Sequence, residues 1–244
     1  MTSSVAVITP TIGSPELVHC VQSVAAQSQA CTHYIFVDGQ EYLQSVIDLI
    51  APYQHENLVI SVLGHNIGKG WYGHRVYAAA APLVNEEVLC YLDEDNWYAP
   101  NHIETIQQTM AHPANQWCYA LRAIYTKSGD WLCDDNCESL GHWPVVGEDP
   151  RRFHVDTACF AVSRQAALNV GHTWYGTWGA DRQFFSVLKS CYPQFACTMR
   201  RTVNYRLAGN EQSVSGQFFK ERNLIAQTHY PTEFPWCVQP STVE

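Results

Sequence analysis

Charge is scarce in this chain. Only 15% of its 244 residues are Asp, Glu, Lys or Arg, and 23 Asp and Glu outnumber 14 Lys and Arg. The formal charge of -9 argues against a broad nucleic-acid surface and against electrostatic docking to anionic lipid. An anionic ligand would need a local cation. Apolar runs of roughly 18 residues or more are missing as well, so no membrane span is expected. Met1 to Ser4 leads straight into Val5-Ala6-Val7-Ile8, with neither a basic segment nor an apolar stretch of signal-peptide length. A cytoplasmic protein is expected, with peripheral attachment to a membrane-bound pathway left open. What the chain does have is 46% hydrophobic residues, enough to bury one large core or two small ones.

Ten cysteines are present. Cys20, Cys31, Cys90, Cys118, Cys159, Cys191 and Cys197 lie mostly in apolar runs, where a reduced thiol behaves as a small hydrophobe. Cys133 and Cys137 form the one close pair. With His142 and His154 they offer a conceivable zinc site, but structural zinc prefers shorter paired spacings, and a polar loop with two free cysteines is the expectation.

The first hundred residues repeat a strand, a loop and a helix. Ser4 to Thr9 reads as a buried parallel strand. Ser14 is the expected N-cap of a helix reaching about Gln27, with Pro15 at its first position. Tyr34 to Val37 forms the next strand, followed by a helix through Leu43, Val46, Ile47 and Ile50 that Pro52 closes. Leu58 to Leu63, a Gly-rich loop from Gly64 to Gly73, a helix from Val76 to Ala81 and a fourth strand from Val88 to Leu92 complete the series. No hairpin signal separates these units, which predicts a mostly parallel sheet with helices on both faces.

In such sheets ligands bind beyond the carboxyl ends of the strands. Those ends carry Thr9-Pro10-Thr11, Asp38-Gly39, the Gly64 to Gly73 loop and Asp93-Glu94-Asp95. Adjacent carboxylates are costly to bury without a cation. Asp38 can accept from a base or hydroxyl, Lys69 and Arg75 can meet phosphate, and the acid cluster suits Mg²⁺ or Mn²⁺, which prefer oxygen ligands and shared phosphates. A solvated acidic turn is the bland alternative. Gly68-Lys69-Gly70-Trp71-Tyr72-Gly73 also matches G-x-G-x-x-G, yet it follows the third strand, and three acids face the site instead of one.

Val7-Ile8-Thr9-Pro10-Thr11, Ser23-Val24 with Gln27, Val37-Asp38-Gly39, Asn66-Ile67-Gly68 with Arg75, and Tyr91-Leu92-Asp93-Glu94-Asp95 together resemble the successive blocks of family 2 glycosyltransferases of the GT-A fold. The resemblance implies a Rossmann-like single domain over 1–244, with a nucleotide-sugar-binding half, 1–100, and a smaller acceptor-binding and catalytic half, 101–244. It implies a nucleotide-diphospho-sugar donor, a UDP-sugar by preference, and a glycan or other hydroxyl acceptor. Thr9, Pro10 and Thr11 would line the nucleoside pocket, with Asp38 on the base. Asn66 and Lys69 would lie on the donor loop, and Arg75 near base or phosphates. Asp93 and Asp95 would be the D-x-D acids: Asp93 facing ribose and metal, Asp95 holding the Mn²⁺ or Mg²⁺ that bridges the diphosphate. Glu94 sits in the same donor-facing cluster as the spacer on the opposite side of an extended chain, so its loss should matter least.

In the second half, 115–126 reads as a strand, Ser128-Gly129-Asp130 as a turn into Trp131-Leu132-Cys133, and 134–152 as a long surface loop. His154 to Val162 is a strand candidate, Arg164 to Val170 a helix, 195–204 a strand, and 216–229 a last helix with Leu224 and Ile225 as its apolar contacts. Val155 to Phe160 resembles the family segment that lines the sugar; Asp156 could touch sugar or acceptor and His154 the acceptor, with ordinary structural roles as the alternative for both. Thr177 to Phe185 resembles the Gly-Glu-Asp block, with Ala180 in place of Glu. Asp181 is carried over as the general base of inverting transfer, with a helix N-cap as the ordinary alternative. Trp178 is the expected sugar-stacking aromatic. Tyr205 to Ser213 resembles the stretch that covers the diphosphate, with Ala208 where members often place a His, and Arg206 or Ser213 as phosphate contacts. A non-catalytic sugar-nucleotide binding module and a nucleotidyltransferase remain the alternatives to a transferase.

Overall fold

A computed structural model describes residues 2–70, 72–176, 179–207 and 214–237. Strand β1 (Val5–Thr11) is buried along its whole length because both its faces are covered. It pairs in parallel with β2 (Thr32–Val37) on one side and β4 (Val88–Tyr91) on the other, and β2 pairs in parallel with β3 (Leu58–Val62). Helices α1 (Leu17–Ala25), α2 (Leu43–Ile50) and α3 (His74–Ala80) connect them. The expected parallel sheet is present in this half. α1 begins later than expected: Ser14 and Pro15 form a turn ahead of it, with the Leu17 N–H on the Ser14 carbonyl at 3.0 Å and no side-chain cap at Glu16.

The sheet continues without a break into the second half, in the order β3-β2-β1-β4-β8-β6-β9-β5. β8 (Phe160–Ser163) lies antiparallel between β4 and β6 (Trp117–Tyr125). β9 (Ala196–Arg206) runs parallel to β6, and the short β5 (Trp97–Tyr98) and the hairpin strand β7 (Trp131–Asp134) pair antiparallel with β9 and β6. Chain order reverses between β1 and β4, which is where an open α/β sheet leaves a crevice for ligand.

Around this sheet pack α4 (His102–Met110), α5 (Arg164–Val170), α6 (Ala180–Cys191) and α7 (Gly216–His229). α6 buries Phe184, Phe185 and Leu188, a stripe at helical spacing. Phe184 stacks on Trp174 at 4.2 Å, and both rings meet Tyr91 of β4. This aromatic cluster fixes the start of α6 against the end of β4. α7 differs from expectation: Leu224 and Ile225 are exposed, and Phe219 and Ala226 are its buried contacts.

The 134–152 segment is a surface loop only in its last part, where Gly147, Asp149, Pro150 and Arg151 are exposed. Asp135, Cys137, Glu138, Ser139, Leu140, Val145 and Val146 are all buried. The chain from His154 has no regular structure up to a tight turn at Thr157–Cys159, so β8 starts only at Phe160. All ten cysteines are free. Cys137 is buried with its thiol on Asp135, and His142 stacks on Phe195, so the conceivable zinc set is not assembled. Among the described residues no helix is long and apolar enough to cross a membrane. Trp178, Ala208 and Ser213 lie outside the described residues.

Candidate active site

A cavity of about 380 Å³ opens at the β1/β4 crevice. From β1, Pro10 and Thr11 reach it. Thr9 does not: it is fully buried, and its hydroxyl pairs with His33 Nε2 at 3.0 Å. Asp38, at the end of β2, accepts the N–H groups of Ile67 and Gly68 at 2.8 Å each. A Cβ on Gly68 would come within 2.5 Å of the Asp38 carboxylate, so only glycine lets the backbone approach this closely. Asn66 completes the loop, its amide donating to the Asp38 carbonyl at 3.0 Å and its Oδ1 accepting the Lys69 N–H at 2.6 Å. Asp38, Asn66 and Lys69 all line the cavity. Arg75 is not among the lining residues. It supports the loop from behind, donating to the Ile67 carbonyl at 2.9 Å with its guanidinium 5.1 Å from the Tyr175 ring centre.

At the end of β4, Asp93 accepts from Tyr77 Oη at 2.8 Å and from the Asn96 amide at 3.3 Å. Burial pushes its carboxyl well above the usual range, and Asp95, Asp156 and Asp181 add to the shift. Burial and then Glu94 raise Asp95 to about 6, against a smaller opposing effect of Arg206. Arg206 itself stays outside the cavity lining, holding the turn from behind with its Nε on the Asp95 carbonyl at 3.1 Å. Glu94 is not the idle spacer expected of an extended chain. Its carboxylate accepts from the Thr11 hydroxyl and from the Ser14 N–H at 3.0 Å, tying the loop after β1 to the loop after β4. The reason is local: β4 ends at Tyr91, and the chain turns, with Asn96 N–H on the Asp93 carbonyl at 3.1 Å. Alternation along a strand therefore does not apply to Glu94.

The far wall comes from the second half. Arg122 sits in the middle of β6, 1% exposed, and binds Asp135 at 2.8 Å, Glu138 at 2.6 Å and Asp156 at 2.5 Å. Burial alone would raise the Asp135 carboxyl, but Arg122 and the N–H groups of Cys137 and Ser139 outweigh it and hold it below the usual range. One guanidinium among three carboxylates leaves net negative charge beside Asp93 and Asp95. Asp156 also caps the Thr157–Cys159 turn, accepting the Ala158 N–H at 3.1 Å.

Asp181 faces the same cavity. Gly179, with φ +83°, occupies the N-cap position of α6, so Asp181 is a first-turn residue and not the cap. Its Oδ1 accepts from the Arg182 N–H at 2.8 Å, and its Oδ2 lies 3.5 Å from His154 Nε2. The ligand atoms of His154, Asp156 and Asp181 all fall within 4.8 Å of one another and could hold a cation.

The donor set at Asp93 and Asp95 fits a hard divalent cation by its chemistry. Both are oxygen donors, and both carboxyls are raised by burial and by neighbouring acids, the condition a bound cation relieves. Sequence reading missed Arg122, Asp135 and Glu138. The signal for Arg122 was there, a lone cation inside the apolar run Cys118-Tyr119-Ala120-Leu121-Arg122-Ala123-Ile124, where a buried charge requires partners.

Comparison with known proteins gives the same direction. A 71-residue stretch is 32% identical to an uncharacterized protein of Haemophilus influenzae, covering 29% of this chain and 48% of that one. The fold is shared with S. aureus TarS. The structure of TarS 1–349 in complex with UDP-GlcNAc superposes with a TM-score of 0.65 at 12% identity, over 92% of this chain and 66% of that one. The complex with UDP gives 0.63, again at 12% identity, over 92% and 64%. The chain thus spans about half of the Haemophilus protein and under two thirds of TarS 1–349. The model of glycosyl transferase family 2 matches residues 6–171. The chain is a member of glycosyl transferase family 2 with the GT-A fold.

Proposed function

We propose that this chain is an inverting, metal-dependent glycosyltransferase that uses a nucleotide-diphospho-sugar, a UDP-sugar by preference, and transfers the sugar to a hydroxyl of a glycan or similar acceptor. The observation that carries the reading is the convergence of Asp93, Asp95 and Asp181 on one cavity although β4 and α6 are far apart in sequence. The UDP and UDP-GlcNAc complexes of TarS support the donor class.

Pro10, Thr11, Asp38 and Asn66 form the nucleoside end. Asp38 spends two lone pairs on backbone N–H groups and keeps others for the base. Asp93 and Asp95 would hold Mn²⁺ or Mg²⁺, which supplies Lewis-acid offset of the diphosphate charge when bound. In the transfer, the acceptor oxygen forms a bond to the anomeric carbon as the bond from that carbon to the phosphate oxygen breaks. The nucleoside diphosphate leaves with the electron pair. Asp181 takes the acceptor proton on Oδ2, its Oδ1 being engaged by backbone. Asp156, held by Arg122, faces the sugar.

Asp95→Ala tests the cation assignment. Calorimetry of UDP with Mn²⁺ should show metal-dependent binding in the parent and none in the variant. Equal affinity in both would remove Asp95 as a ligand. Thermal-shift screening of nucleotide sugars with and without Mn²⁺ identifies the donor.

A further inference from the structure

His154 has no part in the transfer just described, yet it is 4% exposed and stands against Asp181. Its backbone is pinned: the Gly141 N–H donates to the His154 carbonyl at 2.9 Å, and the Asp156 N–H donates to Ser139 Oγ at 2.9 Å. The buried 138–141 segment therefore fixes the stretch 154–156 at both ends. Both His154 and Asp156 face the cavity. The ring presents Nε2 to Asp181 Oδ2, while its buried Nδ1 has no hydrogen-bond partner among the described residues.

A neutral imidazole carries one N–H. Were it on Nδ1, a buried donor would be orphaned and the Nε2 lone pair would face an anion. With the proton on Nε2, the orphan is a bare lone pair and the donor meets a carboxylate, the less costly arrangement. Resting on the reading of Asp181 as base, we propose that His154 is a positioning residue: as the neutral Nε2–H tautomer it donates to Asp181 Oδ2. Together with the Arg182 N–H on Oδ1, it fixes the carboxylate plane so that an Oδ2 lone pair faces the acceptor hydroxyl. The 3.5 Å separation shortens when substrate is bound, as catalytic hydrogen bonds do. In the transfer the acceptor proton stops on Asp181, and His154 keeps its own. A cation shared by His154, Asp156 and Asp181 is the competing use of this cluster, but Asp156 Oδ2 is already 2.5 Å from the buried Arg122 guanidinium, which such a cation would oppose.

Two measurements on the full chain decide. In ¹⁵N spectra of the 11 histidines, the signal lost in His154→Gln should report an Nε2–H tautomer and should move in Asp181→Asn. An Nδ1–H tautomer, or a signal indifferent to Asp181→Asn, overturns the proposal. In turnover with UDP-GlcNAc and Mn²⁺ as the probe, His154→Leu should lower kcat about 10- to 100-fold with donor KM unchanged. His154→Gln, whose amide N–H can stand where Nε2–H does, should recover most of it. Equal losses in both variants, or a loss reversed by raising Mn²⁺, contradict the positioning role. Normal turnover by Asp181→Asn sinks the base reading instead, while the tautomer measurement still decides the contact.

Discussion

Two acids one residue apart in the chain do different work. Asp95 looks into the cavity and is raised to about 6 chiefly by burial and by Glu94, whereas Glu94 turns back to hold Thr11 and Ser14. Its removal leaves the Ser14 N–H and the Thr11 hydroxyl without their acceptor. Glu94→Ala is expected to lose about 1–3 kcal/mol of stability, read as a lower urea midpoint at unchanged slope. A midpoint equal to the parent's would mean that the loop is held by other contacts. Glu94 was legible as part of the cluster but not in its role, because β4 ends three residues earlier than a continued extended chain requires. Thr9 sits behind the cavity for a related reason: the apolar pattern identifies the strand, but which of its last residues faces the cavity depends on the neighbours His33 and Cys20.

At the scale of elements, the 134–156 segment builds the far wall around one cation. It lacks any period because its backbone is organised by side chains: the Asp135 carboxylate accepts the N–H groups of Cys137, Glu138 and Ser139 at 2.8–3.0 Å. Such a buried loop is invisible to a reading based on apolar spacing, and its polar composition imitates a solvated one. Around it, β6 was legible from its apolar run and α5 from its helical stripe, whereas β9 interleaves Arg200, Arg201 and Asn204, and α7 buries Phe219 and Ala226 instead of the expected Leu224 and Ile225. Arg122→Met is expected to cost about 3–5 kcal/mol, since three carboxylates would remain buried without their cation. Denaturant unfolding measures this, and a loss below about 1 kcal/mol, the value of an exposed pair, would contradict the account. The aromatic contacts Trp174–Phe184 and Tyr91–Trp174 are the other element-level device, because they set Asp181 opposite Asp93.

For the whole molecule, one sheet carries the β1 and β4 rim of the cavity on parallel strands, and the opposite wall on β6, which runs parallel to β4 across the antiparallel β8 between them. The parallel half reads directly from sequence, as strands buried on both faces give continuous apolar runs separated by helical spacing. The insertion of β8 between β4 and β6 depends on long-range pairing that no local pattern encodes. The fold also buries His33 and His102, and burial pushes both down to about 3 from 6.5. The unfolded chain therefore binds more protons than the folded one between these values. The stability contributed by the neutral rings is complete above about 6.5 and is lost as pH falls toward about 3. His102→Leu should flatten the fall of the urea midpoint below pH of about 6.5, and an unchanged slope would show that the ring is not the source.

The transferase reading is tested most directly by Asp181→Asn, with UDP affinity in Mn²⁺ measured by calorimetry alongside turnover of the donor identified by thermal shift. The account predicts unchanged UDP affinity and a turnover about 10²- to 10⁴-fold lower. Turnover within a factor of about two of the parent, well short of that loss, would contradict the assignment of Asp181 as the base and with it the proposed mechanism.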